Sequence, residues 1–462
     1  MMRRADMALT LGAPRFTAVN AEATQNGANL GKPAVNECEC NAGAAMSRRL
    51  PITLFLAATA AGTAQAQSSA SEPVSVGDRF NANNAAKGLQ LGPWQVTPTA
   101  TLRGGYDDNI TTVPDTPTAS TVIQLRGRLD VTNADGANFV TAYAEAGNTW
   151  YTEAQDLDHF DASGGAAFQS EIGSYVRLRG SLGVAIGNSE DSADEGVIVA
   201  ANFDPYVDLA KYLQVPASLG ISFDGGHYKF SAGADLLYSD YDPRLTQSGL
   251  TIAQGFRNGT NVDLKARAGY SFSPATTVFV EGGYNLQNYD DENANSTGWR
   301  GVAGAEFEFS RLLTGELFAG YAAQTYDNGQ EVTGLTYGAS LDWFATELIS
   351  LKLAAKREFG AEQTEILLGT PITSAVTRDS ASLGVEYEPL RQMLVRAEGG
   401  WRQTEYDGQI RTDTGLFAGV GLDYVMSANF RVNLDYKYDQ TESEVAGDTQ
   451  RNVFMLGLTT GY

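Results

Sequence analysis

Residues 262–272 read VDLKARAGYSF. Val262, Leu264, Ala266, Ala268, Tyr270 and Phe272 take every second position; Asp263, Lys265, Arg267, Gly269 and Ser271 lie between them. Successive side chains of a strand point to opposite faces, so this segment predicts a strand with one apolar and one polar face. The same texture runs through 174–187, where Val176, Leu178, Leu182, Val184 and Ile186 alternate with Arg177, Arg179 and Ser181. It returns in 430–438, FRVNLDYKY, and in 299–309, where Trp299, Ala303, Ala305, Phe307 and Phe309 alternate with Arg300, Glu306 and Glu308. Soluble sheets also alternate, but over strands of about five or six residues. These runs are about twice as long, the length a tilted strand needs to cross the hydrocarbon core of a bilayer.

From Trp94 to the C-terminus the chain divides into eighteen such segments, an even number as bacterial single-chain barrels require. The connections alternate between short ones (NADG at 133–136, DGG at 224–226, SPA at 273–275, MSA at 426–428) and long ones (189–212, 242–257, 361–374). Short turns belong on the periplasmic side and long loops outside. The expected fold is therefore all-β, a closed antiparallel transmembrane barrel of about eighteen strands over residues 94–462, with long acidic external loops.

Tyr-Asp recurs at 106–107, 241–242, 289–290, 326–327, 406–407 and 438–439, each time where an outward-running strand reaches its loop. A tyrosine suits a membrane interface, with its ring in the apolar edge and its hydroxyl among headgroups. Tyr106, Tyr241, Tyr289, Tyr326, Tyr406 and Tyr438 are accordingly expected to form an outer aromatic girdle. The last strand, VFMLGLTTGY, ends on Tyr462, which resembles the C-terminal aromatic by which the barrel assembly machinery recognises its substrates.

The 462 residues carry 32 basic and 55 acidic side chains, a net charge of -23, with mean hydropathy -0.23. So acidic a chain does not suit a nucleic-acid partner. Residues 46–66, MSRRLPITLFLAATAAGTAQA, have the basic start, short apolar middle and A-x-A end of a signal peptide, with cleavage expected after Ala66. Residues 1–45 read as a non-translated or disordered leader, and 67–93 as a flexible periplasmic N-terminal segment. Cys38 and Cys40 fall in the leader, so the exported chain is expected to lack cysteine.

Residues 85–112, AAKGLQLGPWQVTPTATLRGGYDDNITT, resemble the first strand of the putative β-barrel porin 2 family common in alphaproteobacteria. The resemblance rests on Gly88, Gly92, Trp94, Pro98 and the run Tyr106-Asp107-Asp108-Asn109. It implies an outer-membrane, porin-like barrel of a Gram-negative bacterium and brings no catalytic residues with it.

An eighteen-stranded barrel is wide enough for an aqueous channel. On the lumen faces, Arg103, Arg126, Arg128, Arg177 and Arg179 suggest a basic wall opposite an acidic one of Glu281, Glu306, Glu308 and Glu316. Such opposed walls would set up a transverse field; the bland alternative is pairing between neighbouring strands. The third external loop resembles the inward-folding constriction loop of general porins, and Glu195, Asp204 and Asp208 would then face the arginines. Acidic clusters at Asp107/Asp108, Glu190–Glu195 and Asp290–Glu292 lack the spacing of a calcium loop and read as solvated surface, so no metal is expected. His159, beside Asp156, Asp158 and Asp161, resembles the site of outer-membrane surface proteases, but one histidine in an acidic loop is weak ground for catalysis. No catalytic residue or cofactor is expected. The function expected is passive diffusion of small hydrophilic solutes or ions, with polysaccharide export or a closed structural barrel as alternatives. Lipid and lipopolysaccharide would surround the outer face, and the oligomeric state is left open.

Overall fold

The computed structural model describes residues 74–112, 117–135, 138–189, 197–199, 202–204, 206–255, 257–367, 370–407, 411–443 and 447–461. The leader, the signal peptide, the cleavage point near Ala66, Glu195 and Tyr462 lie outside the described residues.

Eighteen long strands follow one another: β1 (Trp94–Asp107), β2 (Ser120–Asp135), β3 (Asn138–Tyr151), β4 (His159–Ile172), β5 (Val176–Ser189), β6 (Ala210–Asp224), β7 (Tyr228–Tyr241), β8 (Gly259–Ser273), β9 (Thr276–Tyr289), β10 (Ser296–Ser310), β11 (Leu313–Tyr326), β12 (Glu331–Thr346), β13 (Ile349–Leu367), β14 (Thr370–Leu390), β15 (Met393–Tyr406), β16 (Thr412–Ser427), β17 (Phe430–Ser443) and β18 (Thr449–Gly461). Each pairs antiparallel with the next, and β1 pairs with β18 from Thr99↔Gly461 to Asp107↔Val453, which closes the ring. Closure leaves no barrel strand with an unpaired edge in the bilayer, where water could not satisfy it.

The alternation read from the sequence sets the two faces. On β8, Leu264, Tyr270 and Phe272 are exposed on the outside, while Arg267 and Ser271 point inward. Without lipid, the outside of a membrane barrel is its exposed apolar face, and here it carries Leu102, Leu182, Val280, Leu317, Leu335 and Leu456.

The segment expected as a long loop at 361–374 is instead a continuation of the ladder. β13 and β14 stay paired up to Leu367↔Thr370, so this hairpin stands above the rim. Its residues include Thr364, Ile366, Thr370, Ile372 and Thr373, which are β-branched and favour extended backbone. β6 likewise begins at Ala210, earlier than the expected 213.

Before the barrel, residues 76–83 form a helix, α1 (Val76–Asn83), where the sequence reads as flexible. Ser75 caps it by accepting a bond from the Asp78 amide. A three-residue strand, Leu89–Leu91, then folds back on Trp94–Val96. Gly88 and Gly92 stand at φ 66° and 63°, in the left-handed region that glycine adopts at little cost. Two glycines of the quoted first-strand pattern are thus turn residues.

Candidate functional site

The charged lumen is built strand by strand, because every second residue of each strand must face it. Arg267, on β8, gathers the acidic side chains of the next three strands. Its guanidinium lies 2.8 Å from Glu281, 2.9 Å from Glu306 and 2.8 Å from Glu316, and sits 3.9 Å above the ring of Phe279. Arg300 reaches Glu281 from the other side. Glu308 occupies the next inward position of β10, nearer the periplasmic turn.

The expected basic wall is paired in the same manner. Arg126 lies 3.0 Å from Glu145; Arg128 lies 2.7 Å from Asp130 and 3.2 Å from Glu145. Arg177 lies 2.8 Å from Glu171, and Arg103 pairs with Asp435. Arg179 stands on β5 opposite Gln169 and Gly220. For Arg103, Arg126, Arg128, Arg177, Glu281, Glu306 and Glu316 the two segregated walls are therefore replaced by local pairs within a strand or between nearby strands. Opposing side chains on neighbouring strands are only about 5 Å apart at Cβ, whereas charges across the lumen are separated by screening water.

The tyrosines also require a correction. Tyr106 is 52% exposed and faces outward, and Tyr438 shares the outward register with Tyr436. Tyr241, Tyr289, Tyr326 and Tyr406 are buried on the inward register, with Tyr326 only 2% exposed. They lie beside inward-facing Gln214, Gln287, Gln324 and Thr404, and the Tyr326 hydroxyl donates to the Gly360 carbonyl at 2.7 Å. Outward aromatics near this rim are Trp150, Phe160, Trp299 and Tyr321 as well as Tyr106.

At these four positions the Tyr-Asp pair marks the last rung of a ladder instead, whereas Tyr438-Asp439 stands inside β17, which runs on to Ser443. The Tyr241 and Tyr289 amides donate to the side chains of Asn258 and Asn295, and those of Tyr326 and Tyr406 to the carbonyls of Gln330 and Arg411. The following Asp242, Asp290, Asp327 and Asp407 each donate an amide bond back across the sheet, to Lys211, Asn258, Asn295 and Ala375. Loop arginines cover two of the rings: Arg257 lies 4.8 Å from Tyr241 and Arg411 lies 4.4 Å from Tyr406.

The third external loop carries a small hairpin, Val197–Val199 with Asn202–Asp204. Val197–Val199 packs against β13, far around the ring from β5 and β6, so the loop reaches across the outer mouth. Asp204 and Asp208 do not face an arginine wall; they bind the neighbouring loop, 242–258. Asp204 accepts bonds from the Ser248 amide and hydroxyl at 3.0 and 2.5 Å. Burial pushes its carboxyl up, but the Ser248 and Thr246 hydroxyls outweigh this and hold it below the usual carboxylate range. Asp208 accepts from the Leu245 amide at 3.1 Å, and the fully buried Arg244 donates to the Asp208 carbonyl at 2.5 Å. Arg244 also stacks 3.7 Å from the Tyr206 ring. An Arg244→Ala variant loses a desolvated cation–π contact and hydrogen bonds, together about 2 kcal/mol. Proteinase K should then cut the two loops roughly thirtyfold faster in folded barrels, since opening them becomes that much easier.

His159 is buried, its Nδ1 is 2.8 Å from the Leu157 carbonyl, and its Nε2 is 3.4 Å from Asp161. Among the described residues, no three His, Cys, Asp or Glu side chains could jointly hold a metal ion.

Asp107 and Asp108, expected as solvated surface, form with Asn109 the seam between the first and last strands. Arg451 on β18 grips Asp107 at 2.9 and 2.5 Å, Asn452 donates its amide and side chain to Asp108 at 2.6 and 2.7 Å, and Asn109 donates to the Gln450 carbonyl at 2.9 Å. Sequence reasoning missed both Arg267 and Arg451, although each stood at an inward position.

A closed ring of eighteen membrane-length strands around a charged, polar lumen defines an outer-membrane β-barrel channel of the Gram-negative type. The chain belongs to the putative β-barrel porin 2 family, whose model matches residues 82–462. Among solved structures it is similar to OpdL of Pseudomonas aeruginosa, at 12% identity and a TM-score of 0.43, covering 79% of this chain and 99% of that one. It is also similar to the siderophore receptor PiuA of Acinetobacter baumannii, at 10% identity and a TM-score of 0.45, covering 81% of this chain and 82% of that one. Likenesses so distant say nothing about cargo. No curated protein matches the chain.

Proposed function

We propose that this porin-like barrel conducts small hydrophilic solutes or ions passively and with weak charge selectivity, through a lumen narrowed outside by the third external loop. The observation that carries this reading is the local pairing of the lumen charges, Arg267 with three glutamates above all. Charges neutralised at contact distance leave little net field for a passing ion to feel. The same pairing weighs against polysaccharide export, which would use arginines free to hold a sugar chain, and nothing in the site calls for an enzymatic reaction. In this reading the apolar outer face meets lipid and lipopolysaccharide, and the barrel assembly machinery inserts the chain.

Planar-bilayer recordings test the proposal. Steady ohmic current with a reversal potential near zero in a salt gradient is the expected result. A silent barrel, or one passing a single sign of ion, would overturn it.

A further inference from the structure

The helix α1 lies inside the barrel wall. Val76 and Phe80, one helical turn apart, are buried against Leu394 and Val425. Both partners occupy inward positions, Leu394 on the register of Arg396 and Val425 on that of Asp423. The Val76 amide donates to the Ser350 hydroxyl at 3.1 Å and the Gly77 amide to Glu386 at 2.8 Å. Arg79 pairs with Glu388 at 2.7 Å and also bonds the Glu347 carbonyl. Asn84 donates to the Arg391 carbonyl at 3.3 Å, and Arg431 donates to Asn81 at 3.1 Å while lying 5.6 Å from the Phe80 ring. Every one of these partners sits at or next to the short-turn end of β12 to β17. A side chain at Gly77 would collide with the Glu386 carboxylate, so helix and wall are in close contact there.

We propose that α1 sets the size limit of the channel by filling one side of its periplasmic mouth. This goes beyond the proposed function and rests on its reading of the lumen as an open path. A helix is about 10 Å across with its side chains, a large share of the mouth of such a barrel. The opposite wall stays open: near the short-turn ends of β4 to β10 lies a cavity of about 310 Å³ lined by Arg177, Lys229, Arg267 and Glu306 among others. Solutes leave along that wall, between the helix and Lys229.

The hold is mostly polar and local, so it can be released without touching the strands. Gly77→Leu displaces the Glu386 carboxylate and breaks its bond to the residue 77 amide, and Phe80→Asp puts a carboxylate where the ring is fully buried. Both variants, and one lacking residues 74–85, are reconstituted after heat-modifiable gel migration shows a folded barrel. Single-channel conductance should rise about twofold or more as a helix-sized obstacle about 10 Å wide leaves the mouth. Liposome swelling should also admit larger sugars than the parent barrel does. Conductance and size limit equal to those of a conducting parent would overturn the plug alone. Absence of current from parent and variants alike would overturn the channel reading, and the plug with it.

Discussion

Arg267→Met loses about 3–5 kcal/mol of barrel stability, the cost of stripping one partner from a desolvated ion cluster. Methionine fills much of the volume over Phe279 but takes the shared guanidinium away from Glu281, Glu306 and Glu316, of which Glu281 still has Arg300 beside it. Glu281 and Glu316 are each 4% exposed, so water cannot replace the lost guanidinium. The check is the temperature midpoint of heat-modifiable migration, together with urea unfolding in detergent. Arg267→Lys should fall between the two, because an ammonium keeps the charge but cannot fork to three carboxylates. Arg267→Met combined with Glu306→Gln and Glu316→Gln should recover much of the loss. If Arg267→Met unfolds at the parent midpoint, the cluster contributes no stability.

The second large effect is at the seam. Asp107→Ala leaves Arg451 buried without its bidentate partner, and Arg451→Ala leaves Asp107, only 1% exposed at its side chain, in the reverse position. Each single variant should lose about 3–5 kcal/mol, and the double variant should lose clearly less than their sum, since the two act as one contact. The seam is the one pairing that joins strands from opposite ends of the chain, so its closure carries the largest loop entropy of any rung in the ring. The variants should therefore also fold more slowly into bilayers, read as the growth of the heat-modifiable band. Additive losses in the cycle would mean that Asp107 and Arg451 act independently.

The tyrosines show what was legible and overlooked. Tyr289 stands an even number of residues from Glu281 and Gln287, so its inward direction was already written in the strand. Reading it by its place at the strand end, and not by its parity, put it on the wrong face. Arg267 appears in the deciding stretch itself, but its three carboxylates come from β9, β10 and β11. No spacing along the chain announces that meeting. Asp107 and Asp108 looked like loop acids because their partners, Arg451 and Asn452, lie at the far end of the sequence.

The sequence by itself determined the strand count, the closed ring and which side chains look inward, because a period of two in long segments leaves a strand no other way to bury its apolar face in lipid. Only the tertiary structure decided which charges meet, where the third loop rests, and that residues 76–83 become a helix. Those outcomes depend on the shear of the ring, which sets neighbours across strands, and on an inner wall that supplies Leu394, Val425 and Glu386 to an eight-residue segment too short to hold a helix alone.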